Sequence, residues 1–194
     1  MPTSRRLPVR DLALVASFAA LMAVLGLPGS LTLFGNAVPV TLQSLGVMLA
    51  GSILGWRRAF LALVVFLALV AAGLPLLAGG RGGLGVFAGP SVGYLVGWPI
   101  GAAVIGWLVE RRLPAYPLWW AATANAVGGI GVVYLLGIPA QAAVLGTSLV
   151  KTTALAAIYL PGDSMKVIIA TIVAAGVHKG YPVPAAPRER ERIG

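Results

Sequence analysis

The chain has 194 residues, 59% of them hydrophobic with 26 glycines besides, and only 10% charged. A soluble domain carries about 25% charged residues; at about 20 apolar residues per membrane-spanning helix, this chain has material for about six spans. That balance excludes a water-soluble enzyme domain and a disordered segment, and the lack of cysteine excludes disulfide scaffolds, redox motifs and thiolate metal sites.

The predicted elements open with a short N-terminal segment, residues 1–11, carrying Arg5, Arg6 and Arg10. Basic residues ahead of Leu12–Leu27 imitate a signal peptide, but no clear small-residue cleavage site precedes further spans, so the segment reads as a retained helix. The expected fold is an all-α polytopic membrane protein, with a six-helix membrane domain over residues 12–178. Its spans are Leu12–Leu27, Val38–Leu54, Ala59–Leu77, Gly93–Val109, Leu118–Gly137 and Gly162–His178. Residues 179–194 form a basic tail. An additional short helix, Ala142–Leu160, is apolar enough for a seventh crossing, and the charges decide against that.

Eleven of the 14 basic residues cluster at breaks between apolar stretches: Arg5, Arg6, Arg10, Arg57, Arg58, Arg111, Arg112, Lys179, Arg188, Arg190 and Arg192. Six crossings place all of them on one side, as cytoplasmic loops favour, with both termini cytoplasmic; seven would send the basic tail outside. The short helix is therefore expected as a re-entrant or interface-lying element. No aromatic residues interleave with the cations, so nucleic-acid stacking has no support.

Small residues recur at packing spacing: Gly93, Gly97 and Gly101 in span four, and Ala16, Ala20 and Ala19, Ala23 in span one. Such stripes let helices approach closely in lipid; they serve packing within the chain or docking of another subunit. Pro39 and Pro161 mark helix starts, and Pro99 is expected to kink span four.

Four of the five acids lie beside arginines or in the tail. Asp163 does not. It stands with Lys166 in Leu160-Pro161-Gly162-Asp163-Ser164-Met165-Lys166, at the head of span six. An N-cap explains Asp163 alone, but a lysine in a first helical turn opposes the helix dipole. Three residues apart, the two share one helix face, and an acid and an ammonium at membrane depth point to ligand binding; a structural ion pair is the competing account. Arg81 among Gly79, Gly80, Gly82 and Gly83 suggests a loop that grips an anion such as a carboxylate. Gly83-Leu84-Gly85-Val86-Phe87-Ala88 fits a dinucleotide fingerprint in letters only, without a strand before it. Thr41 and Gln43 open span two and either satisfy neighbouring backbone or face the same cavity. Asn125 and His178 read as interhelical hydrogen-bonding groups. A lone histidine makes no metal site, and no nucleophile–base pair emerges, so an enzyme is not expected.

In order, Val38-Pro39-Val40-Thr41-Leu42-Gln43, the Gly-Gly-x-Gly-Gly loop, Gly89-Pro90-Ser91-Val92-Gly93-Tyr94-Leu95 and Pro161-Gly162-Asp163-x-x-Lys166 resemble the motifs of the BioY family, from about Asp11 to His178. The family usually reads Gly-Pro-Thr-Gly-Gly-Tyr where this chain has Ser91 and Val92. The resemblance implies the biotin-binding S component of an energy-coupling-factor (ECF) transporter of the bacterial or archaeal cell membrane. It implies six helices, an outward-facing biotin pocket, and Asp163 and Lys166 as ligand-binding acid and lysine. Tyr94 is the candidate wall for biotin's apolar part, and Arg81 with Gly82 and Gly83 the candidate grip on its carboxylate. The implied partners are a membrane coupling subunit, docked on the alanine stripe of span one, and two cytoplasmic ATPases. No cofactor is expected, biotin being cargo and ATP the partners' fuel. The alternatives are an S component for another small water-soluble vitamin and a biotin transporter that works without those partners.

Overall fold

The computed structural model describes residues 8–29, 38 and 40–181. Arg5, Arg6, Asn36, Ala37, Pro39 and the tail from Pro182 to Gly194 lie outside these residues. The described chain is all helix apart from turns and one isolated bridge between Leu77 and Arg81. Six helices are formed: α1 (Val9–Val24), α2 (Gln43–Leu54), α3 (Trp56–Ala71), α4 (Val92–Glu110), α5 (Leu118–Leu145) and α6 (Leu149–Gly180). Helices α4, α5 and α6, of 19, 28 and 32 residues, are long and apolar enough to cross a membrane; α1, α2 and α3 have 16, 12 and 16 residues.

The helix bounds differ from expectation in several places. Span two starts at Gln43 rather than Val38, because Thr41 Oγ1 accepts the Gln43 N–H and marks the helix start there. Span five runs on to Leu145 and ends where Gly146 turns left-handed (φ +61°), a conformation glycine adopts without a Cβ penalty. The expected short helix ahead of the last span is present over Leu149–Ala156, capped by Ser148 accepting the Lys151 N–H. A 3₁₀ turn, Ala157–Tyr159, joins it to the last span, Leu160–Gly180, and Asp163 stands in the first turn of that span, as expected. Pro99 sits within α4, which continues through it. Helical structure continues through Lys179 and Gly180.

Helix α4 is central, packed on α2, α3 and α5, and α6 packs on α2 and α5. The glycine stripe of α4 explains the closeness. A Cβ on Gly101 would lie 2.5 Å from the Gly128 carbonyl of α5, and one on Gly93 2.3 Å from the Leu136 carbonyl. That stripe packs within the chain. Where α5 meets α4 at Gly128, it widens into a π turn over Ala126–Val132. The bundle is inside-out relative to a soluble protein: buried Gln43, Asn125 and Gln141 contrast with exposed Ile168, Ile172 and Val173 on α6. A bilayer is the solvent that suits that exposure.

Contacts among helix ends sort the charges. Arg58 pairs with Asp11 at 2.9 Å, Glu110 accepts the Trp56 N–H at 3.1 Å, and His178 Nε2 bonds the Ser52 carbonyl at 2.9 Å. The start of α1, the α2–α3 junction, the end of α4 and the end of α6 therefore share one end of the bundle, with Arg10, Arg57, Arg58, Arg111, Arg112 and Lys179. Arg111 and Arg112 lie over the rings of Trp107 and Trp120, 3.5 and 5.1 Å from their centroids. At the tight α2–α3 junction Gly55 has φ +78°, and a Cβ there would collide with Glu110.

Candidate functional site

Away from the basic end, between α2, α4, α5 and α6, lies a cleft of about 70 Å³ lined by Thr41, Ser44, Tyr94, Trp98, Tyr134, Tyr159, Asp163 and Lys166. Asp163 and Lys166, one turn apart, form an ion pair of 2.8 Å with side chains only 9% and 8% exposed. Breaking such a pair by removing one partner costs about 3–5 kcal/mol, because the other charge is left buried. Asp163 caps no backbone: its carboxylate bonds Lys166, the Ser44 hydroxyl at 3.3 Å and the Tyr134 hydroxyl at 2.7 Å. Lys166 also donates to Ser44 Oγ and the Thr41 carbonyl, each at 2.8 Å. The couple thus ties α6 to the start of α2 and the middle of α5.

Aromatic side chains wall the cleft. Tyr94 packs edge-on against Tyr134 with centroids 6.2 Å apart, and its hydroxyl donates to Gln141 Oε1 at 3.0 Å. Tyr159 donates to the Val38 carbonyl. Thr41 enters through its carbonyl. Gln43 does not reach the cleft: its amide donates to the Met22 and Leu76 carbonyls and accepts the Ala78 N–H, each at 3.0 Å. It pins the end of α1 and the glycine loop onto α2.

Arg81 and Gly82 line a second, more open cavity of about 430 Å³ at the glycine loop and the start of α4. The Arg81 Nε donates to the Ala78 carbonyl at 3.2 Å, and burial pulls the guanidinium below its ordinary pKa; an arginine stays cationic nonetheless. Ser91, on the same wall, is 5% exposed, and its Oγ has no hydrogen-bond partner among the described residues. Gly83 is held away, its N–H donating to the Val70 carbonyl at 2.8 Å. Ser91, the cap residue just ahead of α4, and Tyr94 in its first turn are three residues apart, so the two cavities lie about one helical turn from each other.

Sequence reasoning missed Ser44, Trp98, Tyr134 and Tyr159. A hydroxyl or indole inside an apolar span is the signal that could have found them, since a polar atom in lipid needs a partner. The described residues contain no cluster of His, Asp and Glu able to hold a metal ion.

A multi-pass helical membrane protein with a buried acid–lysine couple in an aromatic cleft is the class this geometry defines. The comparisons agree with it. The BioY family model matches residues 1–183, and the chain belongs to the BioY family. It is 44% identical over 179 residues to the biotin transporter BioY of Rhizobium etli, covering 90% of this chain and 96% of that one. It is 45% identical over 186 residues to the biotin transporter BioY of Rhodobacter capsulatus, covering 89% and 95%. The crystal structure of the S-component for biotin from an ECF-type ABC transporter matches with a TM-score of 0.83 at 27% identity, over 88% of this chain and 92% of that one.

Proposed function

We propose that the chain is the substrate-binding membrane subunit for biotin uptake and takes biotin at the Asp163–Lys166 cleft. The observation that carries this is the couple itself, a carboxylate and an ammonium at 2.8 Å held in a cleft of aromatic walls. Biotin's ureido ring offers two N–H donors to such a carboxylate. Its thiophane ring and aliphatic chain suit Tyr94, Trp98 and Tyr134. Its carboxylate suits Arg81, with the unpartnered Ser91 hydroxyl beside it, one helical turn along α4. Unpaired hydrogen-bonding groups in a site of this kind discriminate strongly against analogues that lack the matching atoms.

The clustering of Arg10, Arg57, Arg58, Arg111, Arg112 and Lys179 at one end supports a cell-membrane topology with that end and both termini cytoplasmic. The cleft then opens outward. Delivery needs an energy source, and a membrane coupling subunit with two cytoplasmic ATPases supplies it in this reading. The exposed Ala16 and Ala20 of α1 form the docking face; Ala19 is buried and Ala23 half-buried, so that second pair packs inward. The chain itself performs no catalysis and carries no cofactor in this reading.

Titration of the purified protein in detergent with biotin, followed by calorimetry, tests the site. Saturable binding is expected, weakened at least about tenfold in Asp163→Ala and in Lys166→Ala, where thermal unfolding monitors the fold, because a hydrogen bond to a charged group contributes about 1.5–3 kcal/mol. Undiminished affinity in both variants would remove the site.

A further inference from the structure

The couple is not symmetric toward the cleft. Asp163 Oδ1 accepts from Lys166 at 2.8 Å and from Ser44 at 3.3 Å, and Oδ2 accepts from Tyr134 at 2.7 Å. An ionised carboxylate has about four lone-pair sites. One is left, and it is on Oδ2. Lys166 has three N–H donors, and all have acceptors at 2.8 Å: Asp163 Oδ1, Ser44 Oγ and the Thr41 carbonyl. The couple therefore offers the cleft an open acceptor before it offers a donor, and that acceptor is on the oxygen Tyr134 holds.

The geometry points to Tyr134 as a specificity-determining positioning residue: its phenol fixes the Asp163 carboxylate so that the open lone pair of Oδ2 meets an N–H of the solute. The site then selects cyclic ureas and kindred rings by their N–H groups first and by their carbonyl second. The torsion that turns a carboxylate about its Cβ–Cγ bond is soft, so Lys166 on the same helix and Ser44 and Tyr134 on two others are what hold it. Ser44 and Lys166 share Oδ1, and Tyr134 alone among the described residues holds Oδ2. Tyr134 is itself held edge-on by Tyr94. Without the phenol, Oδ2 loses its fixed direction, and a solute N–H gains less from meeting it.

This rests on the proposal that biotin binds at Asp163 and Lys166, and the test separates the two. Affinities for biotin and for biotin methylated on both ureido nitrogens are measured in the wild type, Tyr134→Phe and Asp163→Asn. The bulk of the methyl groups is common to all three proteins and cancels in the comparison. The ratio of the two affinities is expected to fall at least tenfold in Tyr134→Phe, through weaker biotin binding with the methylated compound little changed. A folded Tyr134→Phe protein that keeps the wild-type ratio overturns the role of Tyr134. If Tyr134→Phe does not fold, Tyr134→4-fluorophenylalanine fills the hydroxyl's space while still lacking the O–H donor to Oδ2. Its ratio is expected to fall as in Tyr134→Phe, and an unchanged ratio has the same overturning force. A wild type without biotin affinity, or an unaltered ratio in Asp163→Asn, overturns the biotin site instead, and this inference with it.

Discussion

Lys166, Asp163 and Gln43 are all buried polar residues of an apolar bundle, yet their surroundings give them different duties. Lys166 and Asp163 face a cleft and bond side chains and a carbonyl around it. Gln43, 1% exposed, is encircled by main chain. Removing its amide strands two carbonyls and one N–H, each an unsatisfied group costing about 1–3 kcal/mol when buried. Gln43→Leu is therefore expected to lower the thermal midpoint of unfolding by several degrees, while biotin affinity in the protein that remains folded changes less than about threefold. A selective loss of affinity with stability intact would return Gln43 to the ligand site.

Packing between α4 and α5 decides where the cleft's walls stand. The two helices meet through Gly93, Gly97 and Gly101 on one side and Leu136, Val133 and Gly128 on the other. In lipid no hydrophobic force draws helices together, so dispersion contacts at this closeness carry the association. Gly101→Val places new atoms where the Gly128 carbonyl lies, and overpacking of this kind costs about 1–3 kcal/mol. The expected result is a lower thermal midpoint together with weaker biotin binding, because Tyr94 and Tyr134 belong to the displaced helices. Wild-type values of both would show that the interface relaxes without moving the cleft.

The whole molecule is polarised, with cations gathered at one end and the acid–lysine cleft away from them. In the function proposed above, such a bundle takes biotin from outside and meets the coupling subunit through its flank or its basic end. The exposed small residues of α1 mark the flank. Ala16→Trp and Ala20→Trp are expected to keep biotin binding while abolishing co-purification with the coupling subunit from co-expressing membranes. Ala19→Trp, pointing into the core, should instead destabilise the fold. Full co-purification of the two exposed variants would move the docking face elsewhere.

How much of this was legible beforehand varied with the physics involved. Membrane class, six helices and a one-sided distribution of cations follow from composition and from where charges interrupt apolar runs. The spacing of Asp163 and Lys166 likewise suffices to put them on one helix face, since a helical turn closes in about 3.6 residues. Span five was expected to stop at Gly137, whereas the chain continues helical through Pro139 to Leu145 and turns at Gly146. Tyr134 was invisible for a related reason. It follows the π turn of Ala126–Val132, and one inserted residue rotates all that follows by about 100°. Around α4, α5 and α6 apolar residues face both lipid and neighbours, so periodicity cannot say which face is inward. The sequence alone therefore determined the solvent this protein folds in, its helices and the polarity of its ends, because these depend on local composition. The partners of each polar side chain, Ser44 and Tyr134 on Asp163 and main chain around Gln43, were decided only by tertiary structure, because they join helices distant along the chain through contacts that no local pattern encodes.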